Sequence, residues 1–111
     1  MNDYSLGTLE ETILIILLIQ ERCHGVEIAK VYEEHMNQGI SLPAIHIVLK
    51  RMEKKGWVKS EFGEPTAERG GRRKRIYWAT PTAYQLVDEL NKVKTQLWSG
   101  ATKPTLNYVL G

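Results

Sequence analysis

Apolar positions in this chain fall into blocks whose period changes from one block to the next, and each change marks an element. Residues 13–19 are seven consecutive Ile and Leu, a run that suits a buried strand or a buried helix equally. Thr8-Leu9-Glu10-Glu11 in front of it has capping-box spacing, and Gln20-Glu21-Arg22 continues it. The pattern therefore predicts a largely buried helix that starts at Thr8 and ends before Gly25. Over about residues 26–36, Ile28, Ala29, Tyr32 and Met36 are spaced as one apolar face, which predicts a second helix stopping before Gly39.

Ser41 is placed to cap a third helix, with Pro43 tolerated in its first turn and Gly56 as its stop. Ile45, Val48, Leu49 and Met52 recur at helical spacing and form a core face. The opposite face then carries Pro43, Ile47, Lys50 and Lys54, with Ala44, His46 and Arg51 at its edges. Residues 57–62 alternate with a strand period, and residues 75–80 are a second β-favouring run. They predict a hairpin whose connection, residues 63–74, contains the pair Gly70-Gly71 and is long for a turn. Thr80-Pro81 opens a last helix as cap and first residue. Along it Ala83, Leu86, Leu90, Val93 and Leu97 step by 3, 4, 3 and 4, Trp98 extends the seam and Gly100 ends it. Such a stripe packs either on the chain's own core or on a second copy. Its position after an already closed unit predicts a dimer interface through Leu86, Leu90, Val93, Leu97 and Trp98.

The fold class that follows is mainly α with a small β-hairpin, in the order helix, helix, helix, hairpin, helix. Residues 1–80 form one unit, 81–100 a dimerisation helix and 101–111 a loosely ordered tail. At 111 residues, 42% hydrophobic and 25% charged, the chain is one globular domain. Its single cysteine, Cys23, excludes an internal disulfide and fits a reducing cytoplasm. The acids Asp3, Glu10 and Glu11 argue against a signal peptide, and residues 13–19 are too few to cross a bilayer, which needs about 20. A soluble cytoplasmic protein with no membrane partner is expected.

Charge changes the picture more than composition does. The formal net charge is +2, yet residues 50–75 hold ten Lys and Arg against four acids, leaving acidic ends around a basic middle. Within that middle lies Arg69-Gly70-Gly71-Arg72-Arg73-Lys74-Arg75-Ile76-Tyr77. Glycine reaches backbone angles closed to other residues, so the pair can form a tip from which Arg69, Arg72, Arg73 and Lys74 extend toward phosphates. The exposed face of the third helix suits a major groove: Lys50, Arg51 and Lys54 for phosphates or guanine edges, Ile47 and Ala44 for thymine methyls. Taken alone, each feature also reads as a solvated cationic surface. His24, His35, His46 and Cys23 have no common zinc spacing, the glycine pair lacks the P-loop pattern, and no nucleophile signature is present. No metal, no cofactor and no enzymatic activity are expected. Trp57, Tyr77 and Trp78 read as packing of the hairpin rather than as base-stacking platforms.

Leu49-Lys50-Arg51-Met52-Glu53-Lys54-Lys55-Gly56, followed by Glu68 and the basic run into Tyr77-Trp78-Ala79-Thr80, resembles the PadR family of transcriptional regulators across nearly all of residues 6–98. The resemblance implies a winged helix-turn-helix with a C-terminal dimerisation helix, acting as a homodimeric, repressor-type regulator of double-stranded DNA. It implies the third helix in the major groove, the wing on phosphates or minor groove, and the last helix paired with the first elements of its mate. Members often carry Gly-Thr-Leu-Tyr-Pro in the recognition helix. Here Ala44 stands for the usual Thr and His46 for the usual Tyr, which implies altered base contacts. Some relatives bind small aromatic effectors at the dimer interface, where Leu97 and Trp98 would line the pocket. Two other readings stay open at this point, a winged helix used as a protein-interaction module and a ligand-sensing regulator.

Overall fold

The computed structural model describes residues 6–65 and 73–104, the side chains of residues 64, 65 and 73 excepted. Four helices and a three-stranded antiparallel sheet build the chain: α1 (Thr8–Gln20), β1 (Cys23–His24), α2 (Gly25–Met36), α3 (Leu42–Lys54), β2 (Val58–Pro65), β3 (Arg73–Ala79) and α4 (Pro81–Ser99). This is the winged helix architecture that the element order predicted. Ile13, Leu14 and Leu17 of α1, Ile28 of α2, Ile45, Leu49 and Met52 of α3 and Val58 of β2 are the largest fully buried side chains. Each such burial contributes roughly 1.5–3 kcal/mol, so this shared core holds the helices in place.

The cap of α1 lies one residue earlier than its spacing suggests. Gly7 is the N-cap, and the Glu10 carboxylate, not that of Glu11, accepts from the Gly7 N–H at 3.0 Å. Tertiary partners decide this: Glu10 is buried with Arg51 and Lys55 nearby, whereas Glu11 pairs with Lys94 of α4. The helix also ends well before Gly25. Glu21 turns the chain at a φ of 69°, and Arg22 N–H donates to the Gln20 carbonyl at 2.8 Å. That turn frees Cys23 and His24 to pair with Tyr77 and Ile76, a third strand absent from the expected hairpin. Two residues carry no detectable period; only their pairing makes them a strand. Asn37, in left-handed conformation at φ 57°, closes α2 ahead of Gly39.

Strands β2 and β3 run further toward the tip than the residues assigned to them from sequence, with Val58 opposite Ala79, Ser60 opposite Tyr77 and Phe62 opposite Arg75. A register shift between Phe62 and Pro65 separates the last pair, Pro65 and Arg73. The glycine pair at the expected tip, with Arg69 and Arg72, lies outside the described residues. Ser41 caps α3 as expected, accepting from the Ala44 N–H at 3.2 Å.

Buried Thr80 both caps α4 and anchors it. Its hydroxyl oxygen accepts from the Ala83 N–H at 3.2 Å and its proton goes to the Gly56 carbonyl at 2.8 Å. Helix α4 meets the core through Ala83 and Val87, of which only Ala83 belongs to the predicted stripe. Leu86 and Leu90 are half-buried, and every residue from Asn91 to the end of the helix is exposed. The molecule is accordingly long, 64 × 32 × 23 Å.

Candidate nucleic-acid interface

The outward face of α3 carries Pro43, His46, Ile47, Lys50, Arg51 and Lys54, all exposed, with Ala44 half-buried. Their exposure follows from the register that sends Ile45, Val48, Leu49 and Met52 inward. Ile47 is 61% exposed, an apolar side chain with no core to serve. Lys50 and Lys54 have no ion-pair partner among the described residues. Arg51 differs. Its guanidinium lies 3.9 Å from Glu10 Oε2, an oxygen without a hydrogen bond among the described residues, and Lys55 Nζ lies 3.7 Å from the same atom. Arg51 thus sits at the margin of this face, where α3 meets α1.

Helix α3 and the base of the wing face one another. A cleft of about 350 Å³ has His24, Leu42 and His46 along one side and Phe62, Lys74 and Arg75 along the other. A neighbouring cleft of about 380 Å³ is lined by His46, Lys50, Glu53, Arg75 and Tyr77. His46 packs close to the start of α2: a Cβ added at Gly25 would stand 2.9 Å from its Nε2. Burial pushes the Tyr77 phenol above its usual range, with Arg75 opposing the shift and Glu53 adding to it.

Of the residues singled out from sequence, Pro43, Ala44, His46, Ile47, Lys50 and Lys54 lie on α3, and exposed Lys74 lies across the cleft on β3. Arg69 and Arg72 fall outside the described residues, and Arg73 is described by its backbone alone. Sequence reasoning gave no role to Arg75, Ser60, Glu53 or His24, which meet at the junction of wing and α3. Arg75 Nη1 donates to Ser60 Oγ at 2.7 Å, and the Ser60 hydroxyl donates to Glu53 Oε2 at 2.7 Å. A signal existed: strand alternation puts Arg75 on the inward face of Tyr77, away from that of Lys74. On the far side of the sheet Arg22 lies 4.2 Å over the Trp78 ring and pairs with Glu61, which ties the turn after α1 to both long strands.

Among the described residues no group of three or more His, Cys, Asp or Glu is placed to hold a metal ion, and no helix is long and apolar enough to cross a membrane. A search of curated proteins found no match. Solved structures share the fold. A PadR family transcriptional regulator from Eggerthella lenta superposes with a TM-score of 0.68 at 22% identity, covering 85% of this chain and 78% of that one. A PadR-like transcriptional regulator from Bacillus cereus does so with 0.66 at 24% identity, covering 94% and 92%. Bacillus subtilis PadR, solved in complex with operator DNA, gives 0.65 at 16% identity, covering 91% of this chain and 51% of that one. The model of the transcriptional regulator PadR-like family matches residues 13–89, from within α1 through the helix-turn-helix and the wing to the first half of α4, and the chain therefore belongs to that family of regulators.

Proposed function

We propose that this chain is a sequence-specific regulator that binds double-stranded DNA in the cytoplasm as a homodimer, acting as a repressor. The observation that carries the reading is the shared concave face, where His46 and Lys50 of α3 stand across from Lys74 of β3. The DNA complex of the Bacillus subtilis relative supports it.

In this reading α3 enters the major groove. Lys50 and Lys54 meet phosphates or guanine edges, while Pro43, Ala44, His46 and Ile47 meet base edges and thymine methyls. Lys74, with Arg69, Arg72 and Arg73 of the wing, neutralises the adjacent backbone, and counterion release supplies most of the affinity. Arg51 reaches phosphate only by leaving Glu10, so its contribution is the smallest of the α3 cations. Regulation, not catalysis, is the activity of the family.

The homodimer is supported by α4, whose outer half leaves Val93, Leu97 and Trp98 at 54%, 72% and 77% exposure, and by exposed Ile15 and Ile19 on α1. Leu86 and Leu90 continue that stripe toward the core. Pairing α4 with α1 of a second copy covers these groups and sets the half-site spacing. The experiment is an electrophoretic shift with the chain's own promoter region over a range of salt. Strongly salt-dependent binding is expected, and affinity no higher than for random DNA would sink the proposal. A second role, sensing of a small aromatic effector, is favoured by Trp98 standing free beside Leu97. Unchanged tryptophan fluorescence across phenolic acids and cationic drugs would argue against it.

A further inference from the structure

We infer that Ser60 is a positioning residue for DNA binding, one that fixes the angle between the wing and α3 by bridging Glu53 and Arg75. The inference rests on the DNA-binding reading above. Glu53 projects from the last turn of α3, and its Oε2 accepts the Ser60 hydroxyl proton at 2.7 Å. Ser60, on β2, accepts in turn from Arg75 Nη1 of β3 at 2.7 Å. The Arg75 guanidinium lies 4.2 Å over the Phe62 ring, and its carbonyl oxygen is 3.2 Å from His24 Nδ1 on β1. One hydroxyl therefore joins the recognition helix to both long strands, with the short strand attached through the Arg75 backbone.

Chemistry makes this link strong for its size. The hydroxyl is held between a carboxylate and a guanidinium, so both of its hydrogen bonds are charge-assisted and each polarises the other. All three residues are half-buried, which weakens screening by solvent. Arg75 is spent on Ser60 and Phe62, and Ser60 has no charge, so neither serves as a free cation for phosphate.

Position makes the link consequential. A hairpin has little stability of its own, so its orientation is set by what it is tied to: here β1 at Tyr77 and Ile76, Arg22 at Glu61 and Trp78 on one face, and the Ser60 link on the other. Trp57 and Val58 tie the near end into the core. The Ser60 link lies further out, across from the last helical turn. Five strand residues beyond Ser60 span about 17 Å, so a tilt of about 10° at that point moves Pro65 by about 3 Å, as much as a hydrogen bond is long. Lys74 moves with it.

The test compares Ser60→Ala and Ser60→Thr with wild type by fluorescence anisotropy on an operator at several salt concentrations. Loss of one charge-assisted bridge is expected to weaken Ser60→Ala binding about tenfold, while the salt slope stays at the wild-type value because no phosphate contact is lost. Ser60→Thr keeps the hydroxyl in a strand that favours β-branching, and is expected to restore binding. The second measurement needs no DNA: backbone residual dipolar couplings of residues 58–62 and 74–79 relative to the helices. Ser60→Ala should change the orientation of the hairpin in a chain that still folds, and Ser60→Thr should not. Wild-type affinity in Ser60→Ala, unaltered couplings, or a salt slope reduced by about 1 would each overturn the inference. If the wild-type chain binds no DNA, the DNA-binding reading fails by itself, and the couplings still decide whether Ser60 orients the wing.

Discussion

Thr80 and Cys23 show how much a single buried group is worth in a core this small. The Thr80 hydroxyl serves three backbone groups: it accepts from Ala83 N–H, donates to the Gly56 carbonyl, and lies 3.3 Å from that of Trp57. Thr80→Ala is expected to destabilise the fold by about 1–2 kcal/mol in urea titrations, because an N-cap and a buried partner are lost together. Thr80→Ser, which keeps the hydroxyl, should recover most of that. Cys23 carries a thiol pushed from its ordinary 9.0 to about 11, first by burial and then by the negative charge of Glu27. The folded state thus holds a proton that the unfolded chain releases near its ordinary value. Stability supplied by this group is complete below pH 9.0 and is lost as pH rises toward about 11. Wild type should lose stability faster than Cys23→Ala over that window in denaturant midpoints measured at fixed pH; parallel curves would refute it. The residues that carry these effects were visible as a cap and as a lone cysteine, but their burial was not.

Helix α3 and strand β3 divide their work by face. The inward side of α3 is core, and its outward side combines Lys50 and Lys54 with Ile47 and His46. Alternation on β3 sends Lys74 outward and Arg75 and Tyr77 toward the junction. On the proposed DNA-binding reading, the cations and the uncharged groups of this face should therefore respond differently to deletion. Lys74→Ala is expected to weaken binding to all sequences alike and to lower the salt slope by about 1, read from affinity against salt concentration. Ile47→Ala should leave the slope alone and change the sequence recovered by selection from random DNA. A slope change at Ile47 or a preference change at Lys74 would reverse these assignments. Period and capping made α3 legible down to its Ser41 cap. The relay from Glu53 through Ser60 to Arg75 was not legible, because the first contact, 7 positions apart, needs β2 to fold back on the last turn of α3, and the second, 15 apart, needs the pairing of β2 with β3.

The chain as a unit is long because α4 leaves the core after its second turn, and its radius of gyration of 17.8 Å exceeds the roughly 13 Å of a compact chain of this length. Apolar residues on a projecting helix call for a partner. In the proposed homodimer, Leu97→Asp is expected to halve the mass found by sedimentation and to lower operator affinity by about a hundredfold or more, since two linked half-sites would become one. Retention of the wild-type mass would refute an interface through this part of α4. Local order was fixed by the chain's own pattern: the helical periods of α2 and α3, the caps at Ser41 and Thr80, the two long strands and the cationic middle all depend on neighbours within a turn or a pleat. Three features needed the assembled fold. Burial of Glu10 beside Arg51 and Lys55 moved the cap of α1 from Thr8 to Gly7, pairing with Tyr77 and Ile76 made a strand of Cys23 and His24, and packing on the core buried Ala83 of the predicted stripe together with Val87, which lies outside it. Each depends on groups far apart in the chain, whose meeting is set by a common core rather than by any local preference.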